Sequence, residues 1–224
     1  MPLYKIQKKV LSVAPHAVQF LNGLTSNSLD KPQNAFFNIH GRIIATFYQI
    51  RMSDDEFLIV IETAYVEMVL HHTERYALLS KTRVIPRTEH VYFDVTGDAA
   101  LRDVEWAIPQ KKGQLIISPE NRFAPVSEKD FTLFRLQNGI PLLGVDYHDE
   151  LLLNVSEKDF VSFTKGCYLG QEPISKVHNR SKPTWILRVK YEEECSDEER
   201  GKLTSKAVDP ESSRIFGFVF VKNN

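Results

Sequence analysis

Lys165-Gly166-Cys167-Tyr168-Leu169-Gly170-Gln171-Glu172 carries the clearest capacity for chemistry in this chain. A thiol stands between two glycines, with Lys165 before it and Lys176, His178 and Arg180 after it. Nearby cations and the free N–H groups of a helix start stabilise a thiolate, which is the nucleophilic and metal-binding form. Gly166 and Gly170 permit a sharp turn or a close backbone approach. Pro173 suits the first turn of a helix beginning near Gln171, where its missing N–H costs nothing. The same pattern also describes a buried structural cysteine in a strand-to-helix turn, because unpaired cysteine is among the most buried residue types.

Other polar groupings carry less. His71-His72-Thr73-Glu74 has no acid between two histidines four apart, so a solvated helix face is expected rather than a zinc site. Asp146-Tyr147-His148-Asp149-Glu150 reads as a polar loop, with metal binding as its alternative. Thr25-Ser26-Asn27-Ser28 reads as turn chemistry. Lys176, His178, Arg180 and Lys182 form a basic run that either meets an anion or is solvated loop charge. Cys195 lies among acidic residues, which raise a thiol's pKa and keep it unreactive.

The elements that must position these residues follow from periodicity. A strand is expected from Leu3 to Gln7 and a short helix after Pro15, stopped by Asn22-Gly23. Asn34–Met52 and Glu56–Ile61 read as a hairpin around Ser53-Asp54-Asp55, with a bend or bulge at His40-Gly41-Arg42. A helix is expected from Thr63 to about Leu79 on a stripe of Val66, Val69, Leu70, Tyr76, Ala77 and Leu78. Strands at His90–Val95, Val104–Ile108 and Leu115–Ser118 precede a helix over Asp130–Gln137, broken by Asn138-Gly139-Ile140-Pro141. Trp185–Tyr191 alternates as a strand, Glu192–Arg200 reads as an exposed turn, and Lys202–Val221 supplies one or two closing strands. This irregular alternation favours α+β over a doubly wound sheet. No GxGxxG, Walker A or GxSxG pattern occurs, which disfavours dinucleotide folds, P-loop NTPases and α/β-hydrolases.

Composition bounds the partners. Across 224 residues, 28 Lys and Arg nearly balance 29 Asp and Glu, and the net charge of −1 argues against a broad nucleic-acid footprint. Two cysteines without a CxxC spacing suit a reducing compartment. No run approaches the roughly 18 apolar residues of a membrane span, and Met1–Val10 has no apolar signal core. A cytoplasmic monomer without direct nucleic-acid or membrane contact is the expectation.

Lys165–Glu172, as KGCYLGQE after Val161-Ser162-Phe163-Thr164, closely resembles the signature of the YgfZ family of folate-binding proteins, relatives of the glycine-cleavage T-protein (aminomethyltransferase). Arg135-Leu136-Gln137-Asn138-Gly139-Ile140-Pro141 is similar to the family's R-x-x-x-G-[IV]-P element. Phe20-Leu21-Asn22-Gly23-Leu24-Thr25-Ser26-Asn27 resembles its N-terminal segment, and Gly41-Arg42-Ile43-Ile44 the start of its first long hairpin. The resemblance implies an α+β, T-protein-like cloverleaf of two intertwined subdomains around a central cavity over residues 1–183, with a reduced C-terminal β-barrel over 184–224.

In function, the resemblance implies an accessory role in assembling or maintaining iron–sulfur clusters, including those of tRNA-modifying enzymes. Tetrahydrofolate or a derivative is the implied ligand, and iron–sulfur enzymes or assembly proteins the transient partners. Cys167 would be the redox or cluster-handling thiol, supported by Lys165, Gly166, Tyr168, Gly170, Gln171, Glu172 and Lys176. Asn22, Thr25, Asn27, Arg135 and Gln137 would bind the cofactor. No stably bound metal is expected, since one thiol cannot supply the roughly four ligands of a cluster.

The departures from the T-protein concern carboxylates. Its acidic positions after G-x-I-I are Ala45 and Thr46 here, and its pterin-contacting glutamate corresponds to Gln137. A neutral amide keeps hydrogen bonding but loses the charged pair. Lys176 stands where the family has arginine, keeping charge without the bidentate fork. An aminomethyl or other one-carbon transferase therefore needs a substitute carboxylate, for which Glu172 and Asp146 are candidates. A folate-sensing module with a merely structural Cys167 is the third reading.

Overall fold

The computed structural model describes residues 2–155, 159–180 and 182–223, without the side chain of Arg180. The chain begins β1 (Leu3–Lys5), β2 (Lys8–Ala14), α1 (Ala17–Leu24), β3 (Gln33–Phe37), β4 (Ile43–Arg51), β5 (Phe57–Glu62), α2 (Val66–Ser80) and β6 (Arg83–Pro86). It continues through β7 (His90–Asp94), β8 (Trp106–Pro109), β9 (Gln114–Ser118), α3 (Glu128–Asn138), α4 (Leu152–Val155) and α5 (Gln171–Arg180). It closes with β10 (Trp185–Tyr191), α6 (Asp197–Gly201), β11 (Thr204–Val208) and β12 (Ile215–Lys222).

These strands form three antiparallel sheets with orders β3-β4-β5-β2-β6, β1-β7-β9-β8 and β10-β12-β11. The first carries the expected hairpin and, between β5 and β6, a strand that periodicity did not reveal. β2 packs Val10 toward the second sheet while Leu11 and Val13 join the core beneath α1 and α2. With both faces covered, Val10-Leu11-Ser12-Val13 shows no apolar–polar alternation, and the lysines at its start disguise it further. Val91, Phe93, Leu115 and Ile117 of the second sheet, with Phe131 of α3, complete the inter-sheet core. Each such fully covered side chain contributes roughly 1.5–3 kcal/mol.

Ser127 caps α3 by accepting from the Asp130 N–H, and Gly139 ends it in the left-handed region at φ 61°. That is the stop expected from Asn138-Gly139, since glycine enters this region without a Cβ penalty. The expected stripe of α2 is only partly buried. Leu78 is 75% exposed, whereas Thr73 is covered and bonds back to the Val69 carbonyl. The segment 192–200 is more ordered than an exposed turn. α6 starts in a capping box between Ser196 and Glu199.

The C-terminal strands do not close into the expected barrel. They form an open three-stranded sheet, whose Phe216 and Phe218 pack on Leu136 of α3. Three short strands are too few to curl back on themselves, so the sheet buries its apolar face against a helix instead.

Candidate functional site

The signature segment lies between β3–β4 and the end of α1, and divides into anchored and exposed residues. Lys165 is half-buried, and its Nζ donates to the carbonyl oxygens of Thr25 (2.6 Å) and Asn27 (3.0 Å). Burial pushes its ammonium down to about 8, against the pull of those two acceptors. The Leu169 N–H donates to the Gly23 carbonyl (3.0 Å) and the Ser162 N–H to the Ser26 carbonyl (2.9 Å). Tyr168 is buried in the core near Phe37, and burial raises its hydroxyl to about 12. The segments around residues 20–27 and 162–171 thus meet through the backbone.

Gly170, at φ +79°, lies against the β3–β4 turn. A Cβ there would sit 2.5 Å from the Asn38 carbonyl oxygen and 2.8 Å from Phe37 Cβ. Across the contact, Gly41 at φ +72° leaves room for the Gly170 carbonyl and Pro173. The bend expected at His40-Gly41-Arg42 falls at Gly41, and beyond it the strand register shifts between Phe36 and Phe37. Gly166 has open space where a side chain would be, so no steric demand explains it.

Cys167 is exposed and unbridged, just ahead of α5. Glu172 and Lys176 are exposed on that helix, and the Phe163 and His178 rings stack at 3.6 Å nearby. Lys165, expected to support the thiol, gives its ammonium to Thr25 and Asn27 instead. Cys195 is buried beside Leu203 and Val219; burial first raises its thiol, and the expected carboxylate effect comes from Glu199 and Glu192, opposed by Lys190 and Arg200.

A separate cavity of about 500 Å³ lies between the first two sheets and the turn after α3. Its wall includes Lys8, Thr46, Tyr48 and Glu62 from the first sheet, Gln110 and Lys111 from the β8–β9 turn, and Ile140, Tyr147 and Phe160. Lys8 and Glu62 face each other in register on β2 and β5 and form an ion pair, with side chains 3% and 14% exposed. Thr46 and Tyr147 hydroxyls bond each other at 2.7 Å. Lys8 Nζ stands 5.4 Å from the centre of the Tyr48 ring. Burial, and next the Glu62 carboxylate, push the Tyr48 and Tyr147 hydroxyls upward, so both remain protonated at neutral pH.

The residues expected to bind cofactor are not in the described wall of this cavity. Asn22 is exposed. The Thr25 hydroxyl bonds to the Leu21 carbonyl, and Asn27 holds the Gln33 and Asp159 carbonyls through Nδ2. Arg135 is buried, pairing with Asp146 at 2.8 Å and bonding the Ile140 carbonyl and Ser205. Gln137 lines a more open cleft toward Leu187 and Phe218. The suggested substitute carboxylates also lie elsewhere, since Asp146 is held by Arg135 and Thr204 while Glu172 faces solvent. Glu62 was missed, although its sequence signal was a lone acid ending the apolar run Phe57–Ile61. His72 departs from the expected solvated face, packing near Phe36 and Tyr76, and burial lowers its pKa.

Among the described residues, no three His, Cys, Asp or Glu side chains stand together as a metal site. No helix among them is long and apolar enough to cross a membrane.

The fold is that of the glycine-cleavage T-protein class. The aminomethyltransferase T of Bartonella henselae superposes with a TM-score of 0.77 over 98% of this chain and 78% of its own, at 15% identity. The chain is similar to a YgfZ protein, as the signature implied, and also to an IBA57 homolog, which the signature did not name. It is 25% identical to the mitochondrial iron–sulfur cluster assembly factor IBA57 homolog of Dictyostelium discoideum, over 78% of this chain and 58% of that one. It is 23% identical to the tRNA-modifying protein YgfZ of Shigella sonnei, over 54% of this chain and 49% of that one. An uncharacterized protein of Haemophilus influenzae is 24% identical, over 69% and 59%. The chain therefore spans between about half and three-fifths of the length of these relatives. No family model matches it.

Proposed function

We propose that this protein is a folate-binding accessory factor in iron–sulfur cluster assembly or maintenance, with Cys167 as its redox or cluster-handling thiol. One observation carries the reading. The signature segment is anchored through Lys165, Tyr168 and Gly170, yet leaves Cys167 exposed. A structural cysteine would be buried in the anchor, as Cys195 is among its neighbours. The roles of the IBA57 and YgfZ relatives, cluster assembly and tRNA modification, agree with it.

The cavity fits a folate. Its volume lies within the ordinary range for small ligands, its wall mixes aromatic with polar groups, and Glu62 Oε2 there is buried without a hydrogen-bond partner among the described residues. Lys8, Tyr48, Glu62 and Tyr147 would hold the ring system, while Thr25 and Asn27 act through the loop. Bound tetrahydrofolate would supply one-carbon chemistry that no side chain possesses. Aminomethyl transfer is disfavoured, because Ala45 is packed in the core and Thr46 is bonded to Tyr147 where that class carries acids.

In this reading the segments flanking the cavity form a cloverleaf over residues 1–183, and 184–224 a separate small sheet. The protein works as a monomer in a reducing, cytoplasmic setting and meets cluster enzymes or assembly proteins transiently. Complementation of a strain lacking its own family member, read out by an iron–sulfur enzyme, tests it. Rescue by the wild type and failure of Cys167→Ala is the expected result; full rescue by Cys167→Ala removes the thiol's role.

A further inference from the structure

Glu62 ends a strand whose preceding residues, Phe57–Ile61, are all buried. Its Oε1 accepts from Lys8, the residue directly across the β2–β5 register. Its Oε2 is covered and has no hydrogen-bond partner among the described residues. A carboxylate oxygen without a donor pays its desolvation cost unrelieved, so such groups call for an explanation. The Thr46 and Tyr147 hydroxyls bond each other, and neither is bonded to this oxygen. The cavity runs past this carboxylate, with Tyr48 and Phe160 at a ring separation of 6.0 Å providing apolar walls.

A carboxylate with one oxygen free and the other held by a flexible ammonium is suited to a ligand edge bearing adjacent N–H donors beside a carbonyl. Two parallel N–H groups satisfy both carboxylate oxygens, as in bidentate pairs, while the displaced Lys8 turns to the carbonyl. The 2-amino-4-oxopyrimidine edge of a pterin has this order of groups, and so does guanine. Resting on the folate reading, we infer that Glu62 is the residue that selects the pterin, accepting its N3–H and 2-amino donors while Lys8 donates to its ring oxygen. Glu62 thereby supplies, from β5, the carboxylate absent at Ala45, Thr46 and Gln137.

Calorimetric titration of the full chain with tetrahydrofolate, its 2-desamino-2-methyl analogue and guanosine tests this. The wild type is expected to prefer tetrahydrofolate over the analogue by on the order of a hundredfold, since a site built for N–H donors rejects a ligand lacking them. Glu62→Gln should shrink that preference to about threefold or less, because an amide offers one acceptor where two are needed. Should Lys8, left unpaired, prevent that variant from folding, Lys8→Gln/Glu62→Gln removes both charges at nearly constant volume and gives the same readout. Wild-type preference retained in a folded variant overturns the role of Glu62 while leaving folate binding in place. Guanosine bound more tightly than tetrahydrofolate overturns the pterin assignment. Absence of any wild-type tetrahydrofolate binding overturns the folate reading, and this inference with it.

Discussion

The ammonium of Lys165 lies 2.6 Å from the carbonyl oxygen of Thr25, joining two motifs from opposite ends of the chain. The signature lysine is therefore a strut for the loop that carries Cys167. Lys165→Met should destabilise the protein by about 1–3 kcal/mol, as the Thr25 and Asn27 carbonyls lose their donor. Urea unfolding measures this, and an unchanged midpoint would refute the strut.

The same lysine makes a pH prediction. Its folded-state pKa, about 8, is below the ordinary 10.5, so the unfolded chain holds the proton more tightly. Stability rises with pH wherever the unfolded state binds more protons. The wild type should thus gain on Lys165→Met as pH climbs from 8 toward 10, with a flat difference below pH 7.5. A difference that instead shrinks above pH 8 would mean the carbonyls outweigh burial.

The two glycines of the signature should respond oppositely. Gly170→Ala places a Cβ against the Asn38 carbonyl in a left-handed backbone, and should cost about 3 kcal/mol or prevent folding. Gly166→Ala meets open space and should change stability by less than about 0.5 kcal/mol. Equal effects in thermal or urea unfolding would contradict this division.

Arg135 gives a test of structural against ligand-binding roles. With side chains 3% and 0% exposed, Arg135 and Asp146 tie α3 to β11 through Thr204 and Ser205. Arg135→Met leaves a buried carboxylate short of its cation and should cost about 3–5 kcal/mol. Arg135→Gln/Asp146→Asn should recover much of that loss. A variant of normal stability with weakened folate binding would return Arg135 to the ligand.

Thiol labelling separates the cysteines. Near pH 8, Cys167 should alkylate at least about tenfold faster than Cys195, whose thiol is buried, raised in pKa and bonded to the Tyr191 carbonyl. Equal rates would remove the contrast on which the thiol assignment rests.

Local patterns recorded much of this architecture. The Asp54 hairpin, the Gly139 stop and the alternating Trp185–Tyr191 strand follow from short-range preferences, and they stand where expected. β2 was illegible because a strand covered on both faces has no period to read. Thr25–Ser28 reads as a polar loop with turn chemistry because polar side chains suit turns. Here Thr25, Ser26 and Asn27 are buried: Thr25 bonds back to the Leu21 carbonyl, while Ser26 and Asn27 donate to the Phe160 and Asp159 carbonyls, distant in the chain. Glu62 was hidden for a related reason: its partner, Lys8, is adjacent only once β2 and β5 have paired. The KGCYLGQE motif singled out one loop, but which of its residues brace and which face solvent required the tertiary neighbours.

The cradle for Lys165 is made of main-chain oxygen atoms, which every amino acid possesses. Substitutions at positions 25 and 27 can therefore drift without erasing the lysine's acceptors, provided the chain keeps its path. Drift at 165 is less forgiving, because only a long cationic side chain reaches both oxygens. The lysine's acceptors thus survive any change at 25 or 27 that keeps the chain's path, and what such a change loses is the buried side chain's own bonds, to Leu21 or to Gln33 and Asp159.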